Sequence, residues 1–279
     1  MRAVLLLACR DRPGLVAAIG EFVVGVGGNI VHADQHVDPV HDLFLQRVEF
    51  DAALDAAALR DRFGDVGDRF GMQWQLHTGG ERSRAVILVS REGHCLADLL
   101  GRVELGELDV EVAAVVSNHD TLESMARRFG VPFHQLPLVD DRRAEQERDL
   151  GALLDRCAPD VVVLARYMRI LPPWLVSRYR ERIINIHHSF LPAFAGARPY
   201  HQAYERGVKL IGATAHYVTD ELDEGPIIVQ DVTSVSHRDQ VPDLIRHGRD
   251  LERVALATAV RLHLEHRVIT YANRTVVFD

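Results

Sequence analysis

Val161-Val162-Val163-Leu164-Ala165 is apolar at every position. A strand with one solvated face alternates apolar and polar residues. A run without alternation marks a strand covered on both faces, and therefore a sheet lying between layers of helices. The surrounding chain fits that frame. From residue 84 onward, apolar strands at Ala85–Ser90, Val110–Ser117, Phe133–Leu138 and Ile183–His187 alternate with helical patterns at Cys95–Val103, Leu122–Phe129 and Arg142–Cys157, and with a short helix near Leu175–Arg178. This alternation predicts an open, parallel, doubly wound, Rossmann-like α/β sheet. Beyond Ser189 it stops. Ala213–Val218 and Ile227–Thr233 read as a hairpin-type pair and Val241–His263 as a long helix; Val268–Tyr271 and Thr275–Phe278 read as a small hairpin across Asn273-Arg274.

A chain of 279 residues suggests two domains, and the first 80 residues have a pattern of their own. Ala3–Cys9 is a strand. Asp11-Arg12-Pro13-Gly14 turns into a helix over Leu15–Val26, which Gly27-Gly28 stops. Asn29–His36 and Leu43–Asp51 are strands flanking a turn at Asp38-Pro39, Ala52–Phe70 has helical spacing, and Met72–His77 is a fourth strand. The order is βαββαβ, a ferredoxin-like layout. The polar joint Thr78-Gly79-Gly80-Glu81 sets the boundary, giving domains 1–80 and 84–279.

The formal charge is −8, with an acidic excess in both parts, which argues against nucleic acid as a partner. Cys9, Cys95 and Cys157 are far apart and form no CxxC pair, so neither a disulfide framework nor a structural zinc site is indicated. The apolar run near the N-terminus is short and followed by charges, so it reads as a strand and not as a leader. No stretch approaches the roughly 20 apolar residues of a membrane span, and the expected compartment is the cytoplasm.

The chemically informative stretch is Asn185-Ile186-His187-His188-Ser189-Phe190-Leu191-Pro192-Ala193-Phe194, just past a predicted central strand, where doubly wound folds place their ligands. Asn185 and His187 are two apart on an extended segment and project from one face. A second polar cluster follows: His216, then Thr219-Asp220-Glu221-Leu222-Asp223-Glu224. An amide can donate to an oxyanion, an imidazole exchanges protons near neutral pH, and a nearby carboxylate can orient that imidazole and hold a water. Asn185, His187 and Asp223 supply one group for each task. Plainer readings stand beside this one. Asn-x-His at a strand end also suits a capping turn, and the acidic run also suits a solvated loop. His187, His188, His201 and His216 lack the spacing of a metal motif, so no metal is expected.

The span Asn185–Gln230 resembles the folate-dependent formyltransferase family, through its Asn-x-His-x-Ser-x-Leu-Pro signature, a later His, and an Asp seven residues beyond it. The resemblance implies that Asn185, His187 and Asp223 act on the formyl unit and that His216 supports them. It implies a pterin pocket lined by Tyr167-Met168-Arg169-Ile170-Leu171 and Val176, and by the loop Thr219, Asp220, Glu221 and Leu222; core packing is the competing reading for Met168, Ile170 and Leu171. It implies a cis Leu191-Pro192 bond. The 10-formyl folate is then the substrate, and no prosthetic cofactor is expected.

The same fold serves several acceptors. A phosphorylated acceptor needs a glycine-rich cradle of free backbone N–H groups at the first strand-to-helix turn. That turn here is Ser90-Arg91-Glu92-Gly93-His94-Cys95-Leu96, with one glycine and a carboxylate. It looks like the turn of formyltetrahydrofolate deformylases, which use water, and His188 and Gly196–Gln202 fit that subgroup too. Asp11-Arg12-Pro13-Gly14-Leu15-Val16 looks like the start of an ACT domain, an amino-acid-sensing module. By resemblance, glycine or methionine would bind near Arg12, Pro13, Gly14, Leu15, Asn29 and Ile30, at a subunit interface of a homo-oligomer; the domain could equally serve assembly alone. A transferase to an amine acceptor and a non-catalytic folate or amino-acid sensor are the remaining alternatives.

Overall fold

A computed structural model describes residues 1–80, 82–137, 142–192 and 199–278. The chain divides into two compact units, Met1–Glu81 with Glu265–Tyr271 and Thr275–Asp279, and Arg82–Leu264 with Ala272–Arg274. The C-terminal residues, placed by sequence in the second domain, thus group mainly with the first: Arg47, buried in the first unit, donates its Nε to the carbonyl of His266 over 2.9 Å.

The first unit contains β1 (Arg2–Arg10), α1 (Leu15–Gly25), β2 (Asn29–Asp38), β3 (Leu43–Asp51), α2 (Ala56–Phe70) and β4 (Gln73–Thr78). Its four strands form an antiparallel sheet in the order β2-β3-β1-β4. Leu15, Ile19, Phe22 and Val23 of α1 and Leu59 and Phe63 of α2 pack on Leu5, Leu7, Val48 and Phe50 of the sheet. Helix α2 starts at Ala56, not Ala52, because Asp55 caps it by accepting from the Ala58 N–H over 2.8 Å.

The second unit contains β5 (Ser83–Val89), α3 (His94–Glu104), β6 (Val110–Ser117), α4 (Glu123–Arg128), β7 (Phe133–Gln135), α5 (Arg143–Cys157), β8 (Val161–Leu164), α6 (Pro173–Arg178), β9 (Ile183–His187), α7 (Pro199–Glu205), β10 (Leu210–Tyr217), β11 (Ile227–Ser234) and α8 (Val241–Leu264). Val161–Leu164 is buried at every position, as the unbroken apolar run requires. The sheet order is β11-β10-β9-β8-β5-β6-β7. It is mixed and not wholly parallel. β7, β6, β5, β8 and β9 run parallel, whereas β10 pairs antiparallel with β9 and β11 antiparallel with β10. The hairpin-type pair expected from sequence therefore extends the large sheet. Helix α7 has no counterpart in the sequence reading. β12 (Val268–Tyr271) and β13 (Arg274–Val277) form a two-stranded ribbon. Its turn is at Ala272-Asn273, both with positive φ, one residue earlier than expected.

Strand order reverses between β5 and β8, the switch point at which such sheets open a crevice beyond their carboxyl ends. Among the described residues no helix is long and apolar enough to cross a membrane. Leu138, the joint residue Glu81, Ala193-Phe194 and Gly196-Ala197-Arg198 lie outside the described residues.

Candidate active site

Asn185 and His187 occupy the last turn of the β9 pleat, one residue apart on the same face. Antiparallel pairing with β10 sets Asn185 opposite His216 and His187 opposite Thr214. Asn185 Nδ2 donates to His216 Nε2 over 3.2 Å, while His216 Nδ1 donates to the carbonyl of Tyr217 over 2.9 Å. Asp223 arrives from the loop between β10 and β11. That loop is tightly folded: Tyr217 N–H bonds the Pro226 carbonyl over 2.9 Å, and a Cβ on Gly225 would lie 1.8 Å from the Tyr217 oxygen. Asp223 itself has φ +57°, a left-handed conformation that Asp adopts more readily than most residues.

The carboxylate so placed faces both imidazoles. Asp223 Oδ2 is 3.2 Å from His187 Nδ1, and Oδ1 is 3.7 Å from His216 Nε2. The hydrogen bond from His187, and after it the closeness of His216, hold the Asp223 carboxyl well below the usual carboxylate range, against the opposing effect of burial. It is a carboxylate at neutral pH. His187 is buried, and its Nε2 has no hydrogen-bond partner among the described residues. An unpaired buried polar atom costs about 1–3 kcal/mol, and here it belongs to a residue that lines a cleft.

That cleft holds about 670 Å³, within the range of small-molecule sites. Asn185, His187, His216 and Asp223 line it, as do Met168, Arg169, Leu171, Val176, Thr219, Asp220, Glu221 and Leu222. All the catalytic, supporting and folate-binding residues expected from sequence therefore converge on one cavity. Core packing does not account for Met168 and Ile170, which are 60% and 63% exposed, nor for Leu222 at 62%. Leu171 and Val176 belong to the core as well as to the cleft wall. The Leu191-Pro192 bond is cis.

The sequence reading names His188 without placing it in the cleft, which it lines, and misses other lining residues. His188 is pushed down to about 4, first by burial and then by the charges of Arg166 and His187, so its ring is neutral at neutral pH. Arg166, Arg249 and Glu252 also line the cleft. Glu252 could have been found: it falls on the apolar face of α8 with Gly248, Leu251, Ala255 and Leu256, where a solvated carboxylate has no place. Arg166 sits in a short connection and carries no such periodic signal. Outside the four histidines weighed for a metal, His94, Cys95 and Glu252 hold their ligand-type atoms within 4.8 Å of one another. The His94–Glu252 contact there is a hydrogen bond of 2.8 Å, and burial pushes the Cys95 thiol up.

The six expected effector residues do not form one pocket within a chain. Arg10 at one end of β1 aligns with Leu43, while Asn29 aligns with Asp51 and through it with Arg2 at the other end. The turn Arg12–Leu15 and the segment Asn29-Ile30 are therefore separated by the length of the strand, roughly 25 Å, because α1 carries the chain back along the sheet. Leu15 is buried in the core and Arg12 lies over the Phe70 ring, 4.7 Å from its centroid. Gly14 takes φ +95° to start α1, and Pro13, Asn29 and Ile30 are exposed.

Comparison with known proteins gives a consistent picture. Residues 83–260 match the formyl transferase family. A formyltetrahydrofolate deformylase of Synechocystis sp. is 52% identical, over 100% of this chain and 99% of that protein. The crystal structure of a formyltetrahydrofolate deformylase from Pseudomonas syringae pv. tomato superposes with a TM-score of 0.98 at 46% identity, covering 100% of this chain and 95% of that one. The structure of glycinamide ribonucleotide transformylase 1 from Symbiobacterium toebii is similar with a TM-score of 0.68 at 34% identity, covering 74% of this chain and 98% of that one.

Proposed function

Given that the chain belongs to the formyl transferase family, and within it to the formyltetrahydrofolate deformylases, we propose that Asn185, His187 and Asp223 are the groups with which it hydrolyses 10-formyltetrahydrofolate to formate and tetrahydrofolate. The observation that carries the assignment is the state of His187, a residue of the cleft wall: one ring nitrogen is fixed by Asp223 at 3.2 Å and the other is buried without a hydrogen-bond partner among the described residues.

The pterin lies against Met168–Leu171, Val176 and Thr219–Leu222, and the formyl carbon is presented to the trio. Water attacks that carbon, forming a C–O bond. The oxyanion is met by the Asn185 amide and by an N–H at His187 Nε2, donors worth about 3–4 kcal/mol each in comparable sites. Asp223, ionised throughout, keeps Nδ1 protonated and stabilises the imidazolium. The water's proton passes to His187 Nε2, which thereby becomes the N–H that meets the oxyanion. The bond from the formyl carbon to the folate nitrogen breaks as that nitrogen takes the same proton from His187 Nε2. His216 positions Asn185 through their 3.2 Å contact.

The first unit is proposed to be an ACT domain of ferredoxin-like topology that binds glycine or methionine. Since the turn Arg12–Leu15 and the segment Asn29-Ile30 are far apart in one chain, a site using both takes them from two copies, in a cytoplasmic homo-oligomer. Isothermal titration of each amino acid, with and without Arg12→Ala, tests this part.

For the catalytic part, the protein is incubated with 10-formyltetrahydrofolate and no acceptor. Equal amounts of formate and tetrahydrofolate over many turnovers support it. Tight binding without turnover would leave only a sensor, and release that depends on an added amine would leave a transferase.

A further inference from the structure

Four charged residues line the cleft without a part in the chemistry above: Glu92, Arg166, Arg249 and Glu252. Arg166 lies two residues past the end of β8, at the switch point of the sheet. Its Nε lies 3.2 Å from Glu92 Oε2 and 3.5 Å from Glu252 Oε2, and its side chain is only 11% exposed. Its backbone has φ +65°, a left-handed conformation that is unfavourable for a long side chain and tends to be kept at functional sites.

The partners extend the cluster. Glu252 accepts from His94 Nε2 over 2.8 Å and from the Tyr200 hydroxyl over 2.7 Å, and Arg249 is 3.7 Å from Glu92 Oε1. Burial alone would raise Glu252; the bond from His94, the charge of Arg166 and the bond from Tyr200 outweigh it, so Glu252 stays ionised. The pair Arg166–Glu252, buried in this way, is weak support for stability, because desolvation offsets most of the attraction. Two guanidinium groups matched by two carboxylates also offer little to an acceptor phosphate. Neutral His188 adds no positive charge.

Formyl transfer to an amine needs space that hydrolysis does not. The acceptor nitrogen must bond the formyl carbon while the bond to the folate nitrogen breaks, the acceptor losing a proton and the folate nitrogen gaining one. Hydrolysis admits only a water, whose share of liquid volume is about 30 Å³.

On the hydrolase reading above, we infer that Arg166, clamped by Glu92 and Glu252, is the specificity determinant of this cleft: it fills and neutralises the space an amine acceptor would occupy and leaves water as the one nucleophile that reaches the formyl carbon. The test is a product ratio. Wild type and Arg166→Gly, which suits the positive φ, are given 10-formyltetrahydrofolate with excess glycinamide, and N-formylglycinamide and formate are quantified by mass spectrometry. Wild type should give formate, with N-formylglycinamide at the enzyme-free level. Arg166→Gly should form N-formylglycinamide at least tenfold above the enzyme-free level, and so raise its ratio to formate. Arg166→Ala combined with Glu92→Gln, which removes one charge of each sign, should move the ratio the same way and guards against a fold lost to an unpaired carboxylate. A purely structural Arg166 would lower formate and leave N-formylglycinamide at the enzyme-free level, an outcome that overturns the inference. A wild-type ratio in either folded variant overturns the inference while leaving hydrolysis intact, whereas wild type that releases no formate overturns the hydrolase reading itself.

Discussion

His187 Nδ1 lies 3.2 Å from Asp223 Oδ2, joining the end of β9 to the β10–β11 loop. That contact turns two separate segments into one acid–base unit. Asp223→Asn keeps the shape and removes the charge. The expected result is a fall in kcat of about 10²–10⁴-fold together with a lower melting temperature, because the pairing that depresses the Asp223 carboxyl also stabilises the fold. Steady-state assays beside melting curves check this, and near-normal kcat would remove Asp223 from the mechanism.

Asn185 is placed to donate to the oxyanion from the face it shares with His187. Asn185→Ala should lower kcat by about 10²–10³-fold with a smaller change in KM, since the donor acts on charge that develops during reaction. A change confined to KM would make Asn185 a binding residue only.

His188 yields a pH dependence of stability. Its pKa is pushed down to about 4 in the folded chain, against about 6.5 when unfolded. Below 6.5 the unfolded chain binds the extra proton and the folded one does not, so stability is full above that pH and falls as acid is added, until the folded ring protonates near 4. At 1.36 kcal/mol per pKa unit the loss reaches about 3 kcal/mol. Calorimetry of His188→Gln should show a shallower decline between pH 6.5 and 4 than wild type. Asp223, held low in the fold, loses its contribution only below its unfolded value of about 3.9, so it does not blur that window.

Gly225 has no room for a side chain, because the atom a Cβ would meet at 1.8 Å is the Tyr217 carbonyl oxygen, which is backbone. Gly225→Ala must shift the loop that presents Asp223. The variant should stay folded, destabilised by about 1–3 kcal/mol, and should lose most of its kcat. Retained kcat would show that the loop position is not critical.

The molecule was unevenly legible. Asn185 and His187 could be read directly, because they are two apart on one strand and the strand period sets their common face. Asp223 reads as the carboxylate of the trio, but it is the resemblance that sets it apart from Asp220, Glu221 and Glu224, since nothing in an acidic loop says which carboxylate folds back. The reversal at β10 was not legible: apolar periodicity reports burial, not strand direction, so the mixed sheet looked parallel. Arg166 looked like a loop arginine because its two carboxylate partners come from the β5–α3 turn and from α8, distant in sequence. The effector residues show the converse limit, since residues grouped by resemblance can lie at opposite ends of one strand.

The most direct test is a crystal structure with a stable, non-hydrolysable 10-formyl folate analogue. The formyl oxygen should lie within hydrogen-bonding distance of both Asn185 Nδ2 and His187 Nε2, with the pterin ring against Met168–Leu171. A formyl group bound away from these two nitrogens, with the analogue otherwise ordered in the cleft, would contradict the assignment.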